Sequence, residues 1–228
     1  MKIKVLLVLA VAVLSSLGCT PGATPSIPSE PTVITLPEPR LTSEVSVEEA
    51  LVQRRSVREY STIPLLLDEV SQLLWAAQGI TSEWGGRTAP SAGALYPLEV
   101  YLAVGNVDGL APAVYRYDPK EHGLVIIKDE DVRGRLADAA LGQNCVEHGA
   151  IDIVVAAVYE RTTKKYGYRG VRYVHMEAGH AAQNIYLQAT ALDLGVVTVG
   201  AFNDSKVRAI IGMGEDEVPL YIIPVGKK

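Results

Sequence analysis

The sequence contains few cysteines, a single phenylalanine and no excess of basic residues. Two cysteines in 228 residues exclude a disulfide framework and leave no cysteine set for a zinc site. Lysine and arginine number 21 against 26 acidic residues, a net charge of −5. We therefore expect no nucleic-acid partner, because proteins that bind nucleic acids usually carry a basic excess. Eleven tyrosines stand against the one phenylalanine, and since buried phenols need hydrogen-bond partners, this bias weakly indicates polar pockets.

The first 18 residues have the pattern of an export signal. Lys2 and Lys4 precede an apolar run over residues 5–14, and small residues follow it up to Cys19. As a helix the run would span only about 15 Å, which is short for a membrane crossing. A cysteine after Leu-Gly resembles the lipobox of bacterial lipoproteins, so we expect cleavage before a lipidated Cys19. An ordinary cleaved secretory signal is the alternative.

These features predict an exported protein, held by its lipid on the outer face of the cytoplasmic membrane or in the periplasm. Residues 19–45 are rich in proline, threonine and serine and offer little apolar surface to offset the entropy of ordering. We predict that they form a disordered linker. The folded domain is predicted over residues 46–228.

Helices and strands alternate in this domain without the regular period of a parallel sheet. Ser46 and Glu49 form a capping box at the start of a first helix, and apolar residues at helical spacing predict a second over 68–78. The other predicted helices cover 131–141, 173–194 and 204–211, and the predicted strands cover 98–104, 114–117, 124–128, 151–159, 196–199 and 220–225. This pattern predicts an α+β fold with a mainly antiparallel sheet flanked by helices.

A cluster of three arginines is the first candidate binding segment. Arg54, Arg55 and Arg58 surround Ser56. The planar fork of donors on arginine suits phosphate oxygens, and a serine hydroxyl adds another donor. A solvated helix end is the alternative, because the helix dipole favours cations there.

Two further segments consist mostly of small residues. Such residues let backbone N–H groups approach a flat ligand closely, whereas a flexible glycine loop is the alternative. The residues are Pro90, Ser91, Ala92 and Gly93 in the first segment, and Val199, Gly200 and Ala201 in the second.

Five segments, in this order, resemble the nitroreductase superfamily of FMN-dependent oxidoreductases. They are RRSVREY, TAPSAGALYPLEVYL, HMEAGHAAQNIYLQA, VGAF and PLYIIPVGKK. The similarity is greatest to the SagB-type branch, which includes azoline dehydrogenases of ribosomal peptide biosynthesis, and it covers about residues 47–228. The resemblance implies a nitroreductase-like fold and a homodimer with non-covalent FMN at its interface.

The resemblance also implies roles for individual residues. Arg54, Ser56 and Arg58, with Arg55 beside them, would hold the FMN phosphate and ribityl chain together with Lys227. Residues 90–93 would line the isoalloxazine from the other subunit, and residues 199–201 would donate backbone hydrogen bonds near N5. Asn184 would lie near the cofactor and the dimer core. The flavin itself would carry the hydride.

A Lys-Tyr pair is proposed as the base in azoline oxidation by the SagB-type branch, and Lys165 and Tyr166 match that pair. An exposed basic loop is the alternative. The resemblance implies either reduction of a nitroaromatic or quinone acceptor, or oxidation of a small-molecule or peptide substrate, with NAD(P)H as one electron donor. A non-catalytic, membrane-tethered lipoprotein that only binds flavin is the second hypothesis.

Three details qualify this picture. Thr198 stands where many relatives have proline. Many relatives also extend a C-terminal arm over the partner subunit, and because this sequence stops at Lys228 we expect the long helix, the 90–96 segment or the N-terminal linker to make the dimer contacts. His175 and His180 are five residues apart, about 140° on a helix, unlike the zinc-protease spacing, so we expect no metal there.

Overall fold

The computed structural model describes residues 33–228. The predicted signal peptide and Cys19 lie outside the described residues. The strands are β1 (Val33–Thr35), β2 (Leu65–Leu66), β3 (Leu98–Val104), β4 (Val107–Asp108), β5 (Val114–Asp118), β6 (Gly123–Lys128), β7 (Ile151–Val158), β8 (Leu194–Val196) and β9 (Glu217–Lys227). The helices are α1 (Val47–Gln53), α2 (Leu67–Gln78), α3 (Arg133–Ala139), α4 (Asn144–His148), α5 (Glu160–Tyr166), α6 (Arg169–Ala191) and α7 (Asp204–Ile211).

Seven strands form one sheet in the order β1-β6-β5-β3-β7-β9-β8. Every neighbouring pair in it is antiparallel, whereas β2 and β4 make a separate short parallel pair. The strand β7, which lies between β3 and β9 inside the sheet, is buried along its whole length. The predicted α+β fold with a mainly antiparallel sheet is therefore confirmed.

Helices cover both faces of the sheet, as alternation along β3 shows. Val100, Leu102 and Val104 belong to the core that contains α2 and α6. Tyr101 and Ala103 point the other way, into a second core with α3, α4 and α7. Because side chains alternate along a strand, one apolar strand serves both helical layers.

The long helix α6 starts and ends earlier than the sequence predicts. It begins at Arg169 rather than Tyr173 and ends at Ala191, so Leu194 and Gly195 are strand residues, paired with Lys227 and Gly226. Gly195 is small because Tyr60 packs on it: an added Cβ would lie 3.1 Å from that ring. The predicted helix end at residue 194 is therefore wrong, and the small size of Gly195 serves packing within the sheet.

The segment predicted as a possible basic loop after β7 is the helix α5, and the helix predicted over 131–141 is shorter, with α4 following it. Ser46 caps α1 as predicted, since its Oγ accepts from Glu49 N–H at 3.1 Å. Within residues 33–228, no helix has both the length and the apolar character needed to span a bilayer.

Residues 33–40 lie on the folded domain, in a segment predicted as part of the linker. Leu36 is only 3% exposed and belongs to the main core. The Pro37 carbonyl accepts from the Ser71 hydroxyl, and Arg40 exchanges two hydrogen bonds with Gln72. The domain therefore starts before the predicted boundary at Ser46, while residues 19–32 of the predicted linker lie outside the described residues.

Candidate functional site

The arginine-rich segment is tied to the edge of the sheet. Residues 54–61 run beside β8, where the Val57 N–H donates to the Val196 carbonyl at 2.9 Å. Further along, the Ser61 N–H donates to the Lys227 carbonyl at 2.9 Å. The backbone that carries the predicted phosphate-binding side chains is thus fixed by the sheet.

Two predicted residues of this segment converge on Tyr186 of α6. The Tyr186 hydroxyl lies 3.0 Å from Ser56 Oγ and accepts from the Thr198 N–H at 3.0 Å. The Arg54 guanidinium carbon lies 5.2 Å from the centre of the Tyr186 ring. Burial raises the pKa of Tyr186, but hydrogen bonds with Ser56 and Thr198 and the charge of Arg54 outweigh it and hold the pKa below its ordinary value.

The contact with Thr198 shows what the departure from proline does. A proline at this position has no N–H and could not donate to Tyr186. Tyr186 is a site residue that no motif indicated individually, although it lies in the HMEAGHAAQNIYLQA segment. The one feature of the sequence that pointed to a polar role for a tyrosine was the excess of tyrosine over phenylalanine.

Beyond Thr198, the predicted flavin-edge segment has fewer free donors than expected. Val199 N–H donates to Ile222 O at 2.8 Å, and Ile222 N–H donates back to Val199 O at 3.0 Å. The Val199 N–H is therefore used in a hydrogen bond to the sheet and is not free to donate to a ligand. The N–H groups of Gly200 and Ala201 have no hydrogen-bond partner among residues 33–228, which leaves these two as the donors of the segment.

Arg58 lines a cavity of about 620 Å³ whose wall is connected to the same segment by one hydrogen bond. Gln143 also lines this cavity, and its Nε2 donates to the Ala201 carbonyl at 3.2 Å. Arg54, Ser56, Arg58 and residues 198–201 thus form one polar rim at the end of β8, and we call this set the β8 rim. Gln143 contacts the β8 rim through Ala201, and no motif indicated it.

Arg55 and Lys227 lie apart from the β8 rim. The Arg55 Nη1 donates to the carbonyls of Val52 and Arg54, both at 2.8 Å, so this side chain caps the end of α1, as the helix-end alternative proposed. The Lys227 ammonium is paired with Glu69 Oε1 at 2.5 Å. The predicted phosphate role of Lys227 therefore competes with an existing carboxylate partner.

The first small-residue segment, residues 90–93, meets the Lys165–Tyr166 pair that the resemblance implies as the base. Gly93 has φ 66° within a 3-10 turn over Ala92–Ala94. A Cβ added there would lie 2.7 Å from the Tyr166 hydroxyl and 2.9 Å from Lys165 Nζ. Glycine suits this corner, because its φ lies in the left-handed region and because a Cβ would force the ends of both side chains to move. The structure thus brings Lys165 and Tyr166 to the turn predicted to line the isoalloxazine.

Neighbouring groups hold this corner in place. The Ser91 hydroxyl accepts from the Tyr96 N–H at 2.9 Å, which closes the turn that begins at the exposed Pro90. Tyr166 packs edge-on against Tyr173 with ring centres 5.2 Å apart. Lys165 Nζ lies 5.4 Å from the centre of the Tyr166 ring. Among residues 33–228 of one chain, no hydrogen bond joins this turn to the β8 rim.

Asn184 ties two elements together. Its Nδ2 donates to the carbonyl of Ala76 in α2 at 3.1 Å and to that of Thr88 at 3.2 Å. These bonds connect the end of α2 with the loop that leads into residues 90–93. Its observed contacts are therefore structural, and its predicted place near a cofactor rests on the resemblance.

Glu177 is a buried carboxyl below the same loop. It is 2% exposed, and its Oε1 has no hydrogen-bond partner among residues 33–228. Burial raises the pKa of Glu177 to about 7, against the opposing influence of Ser91 and Arg87. In the sequence Glu177 lies between His175 and His180, and no motif indicates it as a site residue.

The metal alternative finds no site in the part of the chain that the structure describes. His175 Nε2 lies 2.6 Å from the Tyr159 hydroxyl, whereas Glu177 faces the buried side of α6. Among residues 33–228, no group of three or more His, Cys, Asp and Glu side chains is placed to hold an ion.

The antiparallel sheet between two helical layers, with this polar rim at the end of an edge strand, defines a nitroreductase-like fold. The chain matches the model of the Nitroreductase family over residues 51–227. It belongs to that family and is an oxidoreductase of the nitroreductase type.

Individual relatives agree with this assignment. A protein of Methanocaldococcus jannaschii named "Putative nitroreductase MJ1384" is 52% identical over 185 residues, which cover 81% of this chain and 92% of the relative. A crystal structure from Ralstonia eutropha JMP134, described in the same terms, has 34% identity and a TM-score of 0.75, covering 86% of this chain and 89% of that one.

A more distant relative is the microcin B17-processing protein McbC of Escherichia coli. It is 28% identical over 142 residues, 60% of this chain and only 52% of McbC. The Escherichia coli McbBCD complex with truncated pro-MccB17 contains a chain with a TM-score of 0.69 and 23% identity, covering 88% of this chain and 79% of that one. At that identity the likeness shows a shared fold.

Proposed function

We propose that the protein binds FMN non-covalently and is an FMN-dependent oxidoreductase. The observation that carries this proposal is the β8 rim, where Arg54 and Ser56 meet Tyr186 and Thr198, and where Gly200 and Ala201 keep free N–H groups. When bound, FMN supplies hydride transfer.

The rim fits the two chemically different ends of such a cofactor. The Arg54 guanidinium and the Ser56 hydroxyl are donors suited to phosphate oxygens. Backbone N–H groups rarely stay without an acceptor when they are covered, so those of Gly200 and Ala201 suit acceptor atoms of a flat ring. Arg58 and Gln143 add donors on the far side of this segment. For Lys227 to bind the phosphate as well, its ammonium would have to break the ion pair with Glu69.

For the chemistry at the substrate, we assign Lys165 and Tyr166 to proton transfer. Both polar ends meet at Gly93, so a substrate lying on the turn contacts both. A group within hydrogen-bond reach of the reacting atom is the first requirement of a general base. This pair and the similarity to McbC support azoline-type dehydrogenation, while the family favours nitroaromatic or quinone reduction with NAD(P)H as donor.

We also propose a homodimer, in which the turn at residues 90–93 of one subunit faces the β8 rim of the other. Large apolar side chains are exposed on α1 and α6, namely Leu51 (53%), Val52 (72%) and Met176 (51%). Exposed apolar patches mark interaction surfaces.

The proposal that the protein is exported and lipidated rests on residues 1–19 alone. It is tested by fatty-acid labelling, which Cys19→Ala should abolish and which an ordinary secreted protein would lack.

The first experiment is to load the purified protein with FMN and to follow the flavin absorption through gel filtration. We expect the wild type and Arg55→Ala to retain FMN. Arg54→Ala and Ser56→Ala should weaken FMN binding by about tenfold or more, since each removes a hydrogen bond to a charged group. Folded wild-type protein that elutes free of flavin would contradict the proposal.

The second experiment separates an enzyme from a binding module. FMN on the protein is photoreduced without oxygen and mixed with nitroaromatics, quinones or azoline peptides. Reoxidation that saturates with acceptor concentration identifies an enzyme. Inertness towards all acceptors would instead favour the non-catalytic flavin-binding lipoprotein.

A further inference from the structure

A charged cleft of about 360 Å³ opens beside the loop that leads to Gly93. It lies where the end of α2 meets the start of β3 and the end of β5. Four cationic side chains line it, against two carboxylates. The cations are Arg87, Arg116, Lys120 and Arg161, and the carboxylates are Glu99 and Asp118. A local excess of positive charge stands out in a protein whose net charge is −5.

One of the two carboxylates is paired with a cation, and the other is hydrogen-bonded to neutral backbone N–H groups. Glu99 is paired with the guanidinium of Arg161. Asp118 accepts the backbone N–H of Lys120 at 2.8 Å in the β5–β6 turn. Arg87 and Arg116 have no carboxylate partner among residues 33–228. The cleft therefore has unused positive charge.

Arg87 is positioned as a fixed donor inside the cleft. Its Nη1 donates to Gln78 Oε1 at 2.8 Å, and its guanidinium carbon lies 4.6 Å from the centre of the Tyr96 ring. Burial lowers the pKa of Arg87, and the charges of Glu99 and Glu177 oppose this only in part. An arginine ordered in this way, without an anion, has donors to spare for a ligand.

Gln78 supplies a second and independent indication. The side chain lines the cleft and is 1% exposed, and its Nε2 has no hydrogen-bond partner among residues 33–228. Buried donors in native proteins nearly always find an acceptor. An anion next to Arg87 is the kind of acceptor that this amide lacks.

The cleft is joined to the Lys165–Tyr166 corner. Arg161 donates to the Tyr96 carbonyl at 3.2 Å, and Tyr96 closes the turn that carries Gly93. Arg161 and Lys165 are four residues apart on α5, which places them on one side of the helix about 6 Å apart along its axis. Leu98 and Val100 add apolar surface inside the cleft.

We propose that this cleft binds the oxyanion of an organic acid substrate, a carboxylate or a phosphate on an apolar body, and so directs the substrate towards Lys165 and Tyr166. The inference rests on the proposed function, because it names the substrate class of that site. A peptide carboxylate and a nucleotide phosphate are two sources of this chemistry.

The test compares nitroaromatic acceptors that carry a negative charge with one that is neutral. We expect 4-nitrobenzoate or 4-nitrophenyl phosphate to be reduced with a higher kcat/KM than 4-nitrobenzyl alcohol. Arg116→Ala, at the exposed mouth, should lower the ratio of anionic to neutral kcat/KM by about tenfold, and Arg87→Gln should lower it further. Arg135→Ala, an exposed arginine outside the cleft, should leave the ratio unchanged.

A binding measurement keeps this inference separate from the proposed function. Flavin-free protein is titrated with benzoate and, separately, with inorganic phosphate by calorimetry. Tighter benzoate binding assigns a carboxylate, and tighter phosphate binding assigns a phosphate, provided that Arg116→Ala weakens it. If the wild type binds neither anion, or if Arg116→Ala and Arg135→Ala behave alike in both assays, the proposal is overturned, whether or not the protein reduces any acceptor.

Discussion

Gly93 and Tyr166 are in direct contact: a methyl group on Gly93 would lie 2.7 Å from the Tyr166 hydroxyl. The two residues belong to different segments, one to the turn before β3 and the other to the last turn of α5. The absence of a side chain at Gly93 is what lets the hydroxyl reach the turn.

Gly93→Ala should therefore disrupt the corner in two ways, through the positive φ of 66° and through the collision with Tyr166 and Lys165. We expect turnover to fall at least tenfold, by the displacement of a proton-transfer group. Gly134→Ala on α3 is the matched control, because a Cβ there meets nothing within 4 Å. Equal turnover in the two variants would show that the corner has no role in the reaction.

Tyr186→Phe tests the β8 rim. The change removes the acceptor of the Thr198 N–H and the partner of Ser56. Leaving such a group without a partner costs about 1–3 kcal/mol, so the free energy of unfolding in urea should fall by that amount and FMN should bind more weakly. Tyr168→Phe is the control, since Tyr168 is 92% exposed. A Tyr186→Phe protein as stable as this control would contradict the account of the rim.

Glu177→Gln tests the buried carboxyl. A carboxyl whose pKa is raised in the folded state stays protonated there, while the unfolded chain releases its proton at lower pH. Its contribution to stability is therefore lost as the pH rises from 4.5 to about 7. Such a shift in pKa corresponds to a loss of about 3 kcal/mol.

The wild type should lose stability over this pH range relative to Glu177→Gln, because a glutamine cannot ionise. Urea unfolding at pH 5 and pH 8 measures the difference. Glu83→Gln, in an exposed loop, should follow the wild type. If Glu177→Gln showed the same pH dependence as the wild type, the carboxyl would not be the titrating group.

Leu36→Ala tests whether the segment before α1 is part of the domain. Removing a buried leucine side chain costs about 2–4 kcal/mol through lost burial and the cavity left behind. Ile34→Ala, two residues away and 36% exposed, should cost much less. Equal unfolding midpoints for the two variants would show that residues 33–40 belong to the linker and not to the folded domain.

The sheet was predictable from the sequence because its strands are apolar runs whose pattern is local. The strand over Ile151–Val158 and the helix over Leu67–Gln78 follow from neighbouring residues alone. The end of α6 was not predictable, because Asp193, with φ 56°, makes the turn, and Gly195 is small for the sake of Tyr60. Both reasons lie in tertiary contacts.

The candidate site, too, was predictable in its residue types but not in its long-range contacts. The motifs identify Arg54, Ser56, Gly93, Lys165 and Tyr166 by residue type. They do not show that Lys227 is paired with Glu69, 158 residues earlier, or that Ser56 meets Tyr186 across 130 residues. Arg87 and Gln78 were not predicted as site residues, because an arginine in a loop and a glutamine at a helix end are ordinary features of a sequence. Only their burial in the folded domain shows that the charge of Arg87 and the unpartnered amide of Gln78 are significant.

The course of residues 54–61 along β8 also affects how the molecule behaves among its copies. An open sheet edge offers unpaired backbone groups to which a strand of another chain can add. Here the Val57 N–H occupies the Val196 carbonyl on β8, and the Ser61 N–H occupies the Lys227 carbonyl on the neighbouring strand β9. The segment that carries the proposed phosphate-binding side chains therefore also covers part of the sheet edge and opposes the addition of a strand from another chain.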